Sequence, residues 1–215
     1  MNPTTRENIM RKFTSTVLAG VAAGALAIAT IAAMSQPAQA AAGTYTPHGG
    51  PLVTLSGHDV TFTHVESGFS FTCPQLDMSG SLFDPSQSRP FGTPATTWDD
   101  LTTSGCTSSM GGDVTVDLTG TWGFAVTGAE VGSVSPAAIT DAAMFVGAGG
   151  CSFSVAGDIA GTFDDATGAF TPDGSTQIIS DDPAGFLCPI LGITQGQAMD
   201  VDGSWTITGL TITNP

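Results

Sequence analysis

The stretch that decides the fold is Val114-Thr-Val-Asp-Leu-Thr-Gly-Thr-Trp-Gly-Phe-Ala-Val-Thr127. Val114, Val116, Leu118, Gly120, Trp122, Phe124 and Val126 fall on one face at a period of two, and Thr115, Asp117, Thr119, Thr121, Gly123, Ala125 and Thr127 fall on the other. Successive side chains of a strand point to opposite sides, so this is the pattern of an antiparallel strand with one face in a core. Cys151, Phe153, Val155, Gly157, Ile159, Gly161 and Phe163 repeat it, as do Met199, Val201, Gly203, Trp205 and Ile207, and a shorter run holds Val60, Phe62 and His64. Turn formers punctuate these runs at Asp84-Pro85, Gly111-Gly112, Gly149-Gly150, Pro172-Asp173-Gly174 and Asp182-Pro183. One segment reads differently: Pro136 to Ala143 predicts about two helical turns, because Pro fits the first turn and Ala favours helix.

A glycine recurs on the inward face between bulky apolar groups, in Met78-x-Gly80-x-Leu82, Leu118-x-Gly120-x-Trp122, Ile159-x-Gly161-x-Phe163 and Val201-x-Gly203-x-Trp205. Glycine weakens a strand, so its repeated use predicts sharp coiling or a ring lying across the gap. Gly68-Phe-Ser-Phe-Thr followed by Met78-Ser-Gly-Ser-Leu82 also echoes Gly150-Cys-Ser-Phe-Ser followed by Ile159-Ala-Gly-Thr-Phe163, which suggests two related halves. The expectation is an all-β antiparallel sandwich or partly closed barrel of roughly ten strands, with a lipocalin-like ligand barrel as a special case.

Of 215 residues, four are Lys or Arg and 19 are Asp or Glu. Arg6, Arg11 and Lys12 precede an uncharged apolar run from Val17 to Met34, and Ala38-Gln39-Ala40 supplies the small-x-small spacing of a signal-peptidase site. Residues 1–40 therefore read as a secretory signal, with its helix ended by Ser35-Gln36-Pro37, and 41–215 as one all-β domain. Cleavage after Ala40 leaves Arg89 as the sole cation against 18 carboxylates, a net charge near -17. Nucleic acid and anionic lipid surfaces are excluded as partners, since binding either requires clustered Lys and Arg. No transmembrane segment is expected in the mature chain, which reads as a monomer, secreted and either extracellular or associated with the cell wall.

Cys73, Cys106, Cys151 and Cys188 all lie beyond the signal, and their spacing is not that of a CxxC zinc or redox site. Two disulfides are expected in an exported chain. Of the three connectivities, Cys73 with Cys106 and Cys151 with Cys188 each close one compact part of the chain.

Trp98 ahead of Cys106-Thr, Gly120-Thr-Trp122, Gly150-Cys-Ser-Phe-Ser, Gly161-Thr-Phe163 and the terminal Gly203-Ser-Trp-Thr-Ile207 resemble a group of small secreted Cys-containing β-rich proteins of actinobacteria. The resemblance spans most of the mature chain and implies export and β-structure. The group has no assigned activity, so it supplies no catalytic residue.

The chemistry-bearing side chains are sparse. No GxSxG nucleophile elbow occurs. His48, His58 and His64 cluster near the mature amino terminus, and alternation sets His64 beside Glu66, a pair expected on a solvated polar end. Asp99-Asp100, Asp164-Asp165, Asp181-Asp182 and Asp200-x-Asp202 are carboxylate pairs, but glycoside cleavage also calls for sugar-stacking aromatics and only 7% of residues are aromatic. Short carboxylates at turns bond nearby amides, which is the expected role. Calcium is the one cofactor these oxygens suggest: Asp200 and Asp202 precede Gly203 as in calcium loops, with Asp164 and Asp165 as further ligands. The expectation for function is a non-enzymatic exported protein that binds or coats something at the cell surface, with a secreted hydrolase or a small apolar-ligand carrier as the alternatives.

Overall fold

Period-two patterning produces strands throughout residues 43–214, the part that the computed structural model describes. The expected signal segment lies outside these residues. The strands are β1 (Thr44–His64), β2 (Ser70–Leu82), β3 (Arg89–Pro90), β4 (Thr96–Ser104), β5 (Thr107–Ser108), β6 (Val114–Leu118), β7 (Trp122–Val126), β8 (Val134–Ala148), β9 (Cys151–Asp164), β10 (Ala169–Ser175), β11 (Ile178–Ile179) and β12 (Met199–Thr213). All pairings between them are antiparallel, and the described residues contain no helix.

The sheet runs in the order β9-β10-β12-β1-β2-β4-β7-β8, and β8 then pairs with β9 along almost its whole length, so the path returns on itself. β6 extends the line of β7 along β8: Val114 to Leu118 pair with Ala148 to Met144, and Gly123 to Val126 pair with Thr140 to Ala137. The decisive stretch is therefore one strand line broken at Thr119 to Thr121. Trp122 anchors the break, its indole N–H donating to the Ala143 carbonyl at 3.0 Å.

This ring is two four-stranded sheets joined by short seams. One sheet is β12-β1-β2-β4 and the other is β6/β7-β8-β9-β10, so each is a three-strand meander with a further strand beside its first member. The sequence echo falls on equivalent strands, β2 and β9. The seams are brief: β4 pairs with β7 only over Thr96 to Trp98, and β10 pairs with β12 only through Ala169 and Phe170. Both lie toward the end of the ring that is opposite the β1–β2 and β8–β9 turns. The sandwich and partly closed barrel readings thus meet in one object.

The glycines show why the sheets curve. A Cβ on Gly80 of β2 would strike the Thr97 carbonyl of β4, and one on Gly161 of β9 would strike the Thr171 carbonyl of β10. These are corresponding places in the two sheets, and a register shift lies beside each, between Ser79 and Gly80 and between Pro172 and Gly174. At Gly161 the Phe170 ring also fills the vacant side-chain space, as expected of a ring lying across the gap. Gly120 differs, since it is exposed at the β6–β7 break. Two further corrections concern local signals. Pro136 to Ala143 is not helical but the body of β8, because ladders on both sides outweigh the helix preference of Ala. Pro172-Asp173-Gly174 is a bulge within β10 rather than a turn.

The ring interior is filled by side chains from both sheets, including fully buried Trp98, Trp122, Trp205, Phe62, Phe71, Phe124, Phe153, Phe163 and Phe170. Phe124 and Phe163 meet edge to face at 5.1 Å, and Phe69 and Phe153 span the two sheets at 6.5 Å. Cys73–Cys106 staples the first sheet and Cys151–Cys188 the second, which is the expected connectivity, with no free cysteine among the described residues.

Candidate functional site

Alternation carries His64 inward behind Val60 and Phe62, and its side chain is fully buried rather than solvated. The expected polar-end placement is thus corrected: β1 ends at the turn, but the long segment before β12 covers it. Ser67 approaches Nδ1 at 2.7 Å through its hydroxyl and donates its backbone N–H at 3.3 Å. With Nδ1 accepting, Nε2–H faces Gln197 Oε1 at 3.0 Å and Glu66 Oε2 at 3.3 Å. Gln197 Oε1 also accepts the Thr194 amide at 2.6 Å. The imidazole therefore ties the β1–β2 turn to the segment that leads into β12. His48 bridges Ser86 and Thr213 at the other end of the ring, and His58 is exposed beside Asp59, which has a positive φ of 51°. The three histidines do not converge.

The carboxylate pairs mostly clamp backbone. Asp164 accepts from the Ala166 amide at 3.1 Å and the Thr167 hydroxyl at 3.1 Å. Hydrogen bonding from Ser133 outweighs desolvation and, with the Ala166 and Thr167 bonds, holds its carboxyl below the usual range. Asp165 accepts the Ile212 amide at 2.6 Å, locking the β9–β10 turn onto β12. Asp181 accepts both the amide and the hydroxyl of Ser154, at 2.9 and 2.8 Å. Asp200 and Asp202 bond the amides that follow them, at 3.0 and 2.7 Å. The four calcium candidates are not brought together: Asp164 is level with Thr206 through Ala169, and Asp202 and Asp200 stand four and six residues further along β12, roughly 13 and 20 Å away. Among the described residues no three His, Cys, Asp or Glu side chains gather as metal ligands.

The outer face of the β12-β1-β2-β4 sheet was not legible as a site in the sequence, because its members come from four distant segments. Register aligns Thr208, Thr54, Ser79 and Asp100 in one row, and Thr206, Ser56, Asp77 and Thr102 in the next. Thr54, Ser56, Asp77, Ser79, Asp100 and Thr102 of these rows border a groove of about 280 Å³ over Met78. Its carboxylates are pre-oriented: Asp77 accepts from Ser56 at 2.6 Å and from Gln75 at 2.8 and 2.7 Å, and Asp100 accepts from Ser79 at 3.3 Å. Such a surface offers acceptors and hydroxyls in a fixed plane. The one described cation lies outside it, about four residues further along β2 from Ser79, where Arg89 donates to the Pro94 carbonyl at 2.6 Å and the Phe83 carbonyl at 2.7 Å. No described helix is long and apolar enough to cross a membrane. Comparison with protein families, curated proteins and solved structures gives no match.

Proposed function

We propose that this chain is an exported protein of the kind its motifs resemble in actinobacteria, that residues 1–40 are removed on secretion, and that the mature chain is a non-enzymatic binding or structural protein of the cell surface or extracellular space. The observation that carries the reading is the ordered plane of Thr, Ser and Asp side chains on the β12-β1-β2-β4 face. It favours recognition through hydrogen bonds and charge on a rigid scaffold, with the buried polar residue His64 and the turn carboxylates engaged in holding segments together. Two disulfides fit an oxidising compartment. The filled interior favours surface recognition over carriage of an apolar ligand.

Expression of the full chain in a Gram-positive host tests this. The expected product starts at Ala41, is found outside the membrane and has no reactive thiol after denaturation without reductant. An intact amino terminus on cell-retained protein would overturn the export reading, and turnover of a substrate lost on mutation of Asp77 and Asp100 would overturn the non-enzymatic one.

A further inference from the structure

One end of the ring gathers four loops. The β1–β2 turn holds the segment before β12 through the Val65 N–H on the Ala198 carbonyl at 3.0 Å, and meets the β5–β6 hairpin through the Ser109 N–H on the Ser70 carbonyl at 2.8 Å. That hairpin leads into Val114, which pairs with Ala148 beside the β8–β9 turn, and the Leu187 N–H returns to the Gly150 carbonyl at 3.2 Å. These loops leave large apolar side chains outside the core. Six described ones are more than half exposed; Val65, Met110, Phe186 and Ile190 stand here, whereas Leu52 and Val131 belong to the opposite end. Phe186 and Ile190 have a fixed support: Cys188 between them is bonded to Cys151, and the Leu191 N–H closes a turn on the Leu187 carbonyl at 2.9 Å. A depression of about 410 Å³ lies beside Phe186, lined by Gly149, Gly150, Ala184 and Gly185.

Charge completes the surface. Glu66 adjoins Val65, Asp113 bridges to Thr107 at the foot of the hairpin, Asp181 accepts from Ser154, Asp182 precedes the Ala184–Ser152 bridge and Asp200 is opposite Thr63. All five are exposed, and no described Lys or Arg stands at this end.

We propose that this end of the ring is the docking surface for a cationic amphipathic helix of a partner protein. The apolar stripe of the helix covers Phe186 and Ile190 and enters the depression, and Lys and Arg flanking the stripe meet the surrounding carboxylates. The stapled turn presents its side chains already ordered, so little conformational entropy opposes binding. Charge selects this occupant. A second copy of the chain brings the same five carboxylates, an anionic lipid surface repels them, and a neutral one leaves them without counter-charge. Four apolar side chains also fall far short of the roughly 20–30 residues that each partner gives to a standard protein interface, but they match the few anchors of a docked helix.

The inference goes beyond the binding reading above, which rests on the Thr, Ser and Asp plane, so either can fail and leave the other standing. The probe is a capped Leu/Lys peptide of about five helical turns, with every Leu on one face. It is titrated calorimetrically into the mature protein at physiological ionic strength, beside a scrambled peptide of the same composition and a Leu/Gln peptide with the same stripe. The expected result is binding about tenfold or more tighter than that of either control. Phe186→Ser/Ile190→Ser should weaken it about tenfold and Glu66→Gln/Asp113→Asn several-fold. Leu52→Ser/Val131→Ser and Asp84→Asn/Asp99→Asn, outside this end, should leave it unchanged, and melting curves check that all four variants are folded. Amide hydrogens of Ser109–Gly112 and Ala184–Ile193 should gain exchange protection. Equal binding of the striped and scrambled peptides, or equal loss in the end and control variants, would reduce the effect to bulk polyanion attraction and overturn the proposal. Capture of phosphatidylcholine vesicles, or self-association, through Phe186 and Ile190 in preference to the peptide would give the end a different occupant and overturn it as well.

Discussion

The two sheets share one strand plan and differ in almost everything laid over it. β12-β1-β2-β4 presents rows of Thr, Ser and Asp outward, while β8 and β9 set Ala143, Ala156, Ala160 and Phe145 among Ser152, Ser154 and Thr162. Both carry a residue with positive φ in the first strand of the meander, Asp59 at 51° and Asp141 at 54°, each at a register shift. Both place a glycine where the second strand passes close to the third. What is shared is thus the set of positions where backbone must bend or nearly touch, and what differs is exposed chemistry. Backbone geometry tolerates few substitutes at such points, whereas an outward side chain on a formed ladder is nearly free to vary.

The staples test this equivalence with the largest expected effect. The separations of 33 and 37 residues are close, so loop entropy predicts that Cys73→Ser/Cys106→Ser and Cys151→Ser/Cys188→Ser each cost on the order of 3–4 kcal/mol in denaturant unfolding. A difference between them of more than about 2 kcal/mol would show that the irregular segment before β12 depends on its disulfide in a way the first sheet does not.

Glycine replacements sharpen the comparison next. Gly80→Ala and Gly161→Ala should each destabilise by about 1–3 kcal/mol, since the added methyl meets a carbonyl of the adjacent strand. Gly120→Ala, whose methyl would meet only the Ala143 Cβ at 3.9 Å, should stay within roughly 0.5 kcal/mol. Equal effects at all three would break the claim that the first two are corresponding close approaches.

His64 belongs to the first sheet alone, with no counterpart in the second. His64→Ala should cost about 2 kcal/mol, through unpaired Ser67 and Gln197 groups, and should raise amide exchange in the segment 194–198 before it does so in β9. Uniform acceleration would assign it to general packing.

The smallest effects are set by pH. Tyr45, on β1, has its pKa pushed up to about 12 by desolvation, which outweighs the pull of Arg89. A group whose folded value exceeds its unfolded value contributes stability that is complete below the unfolded value of 10.0 and lost as pH climbs through about 12. Tyr45→Phe should flatten that alkaline loss. Asp164, between β9 and β10, has the opposite sign: its lowered value gives stability present above the ordinary carboxylate range and lost as pH falls through the folded value. Asp164→Asn should flatten the acid limb slightly. Each is read by melting temperature against pH, and an unchanged profile would remove the residue from the account.

Strand identity was legible because burial on one face of a ladder must recur every second residue, as it does in Val114–Val126, Cys151–Phe163 and Met199–Ile207. The disulfide partners were legible because neighbouring cysteines close compact parts of the chain. His64 was half legible, since its inward phase was visible while the covering segment, about 130 residues away, was not. Pro136–Ala143 misled because helix propensity is local and small, whereas two flanking ladders supply a hydrogen-bonding partner set that no local window contains. The rows that align Thr208, Thr54, Ser79 and Asp100, and the gap in the ladder between β4 and the β6–β7 line that separates the Thr96–Trp98 pairs from the Cys106–Val114 bond, depend on register and on which strands become neighbours. Composition and period decide that a residue faces inward or outward. Only tertiary structure decides which outward residues from distant segments stand side by side, because that choice is made by long-range pairing and by the few glycines that let it close.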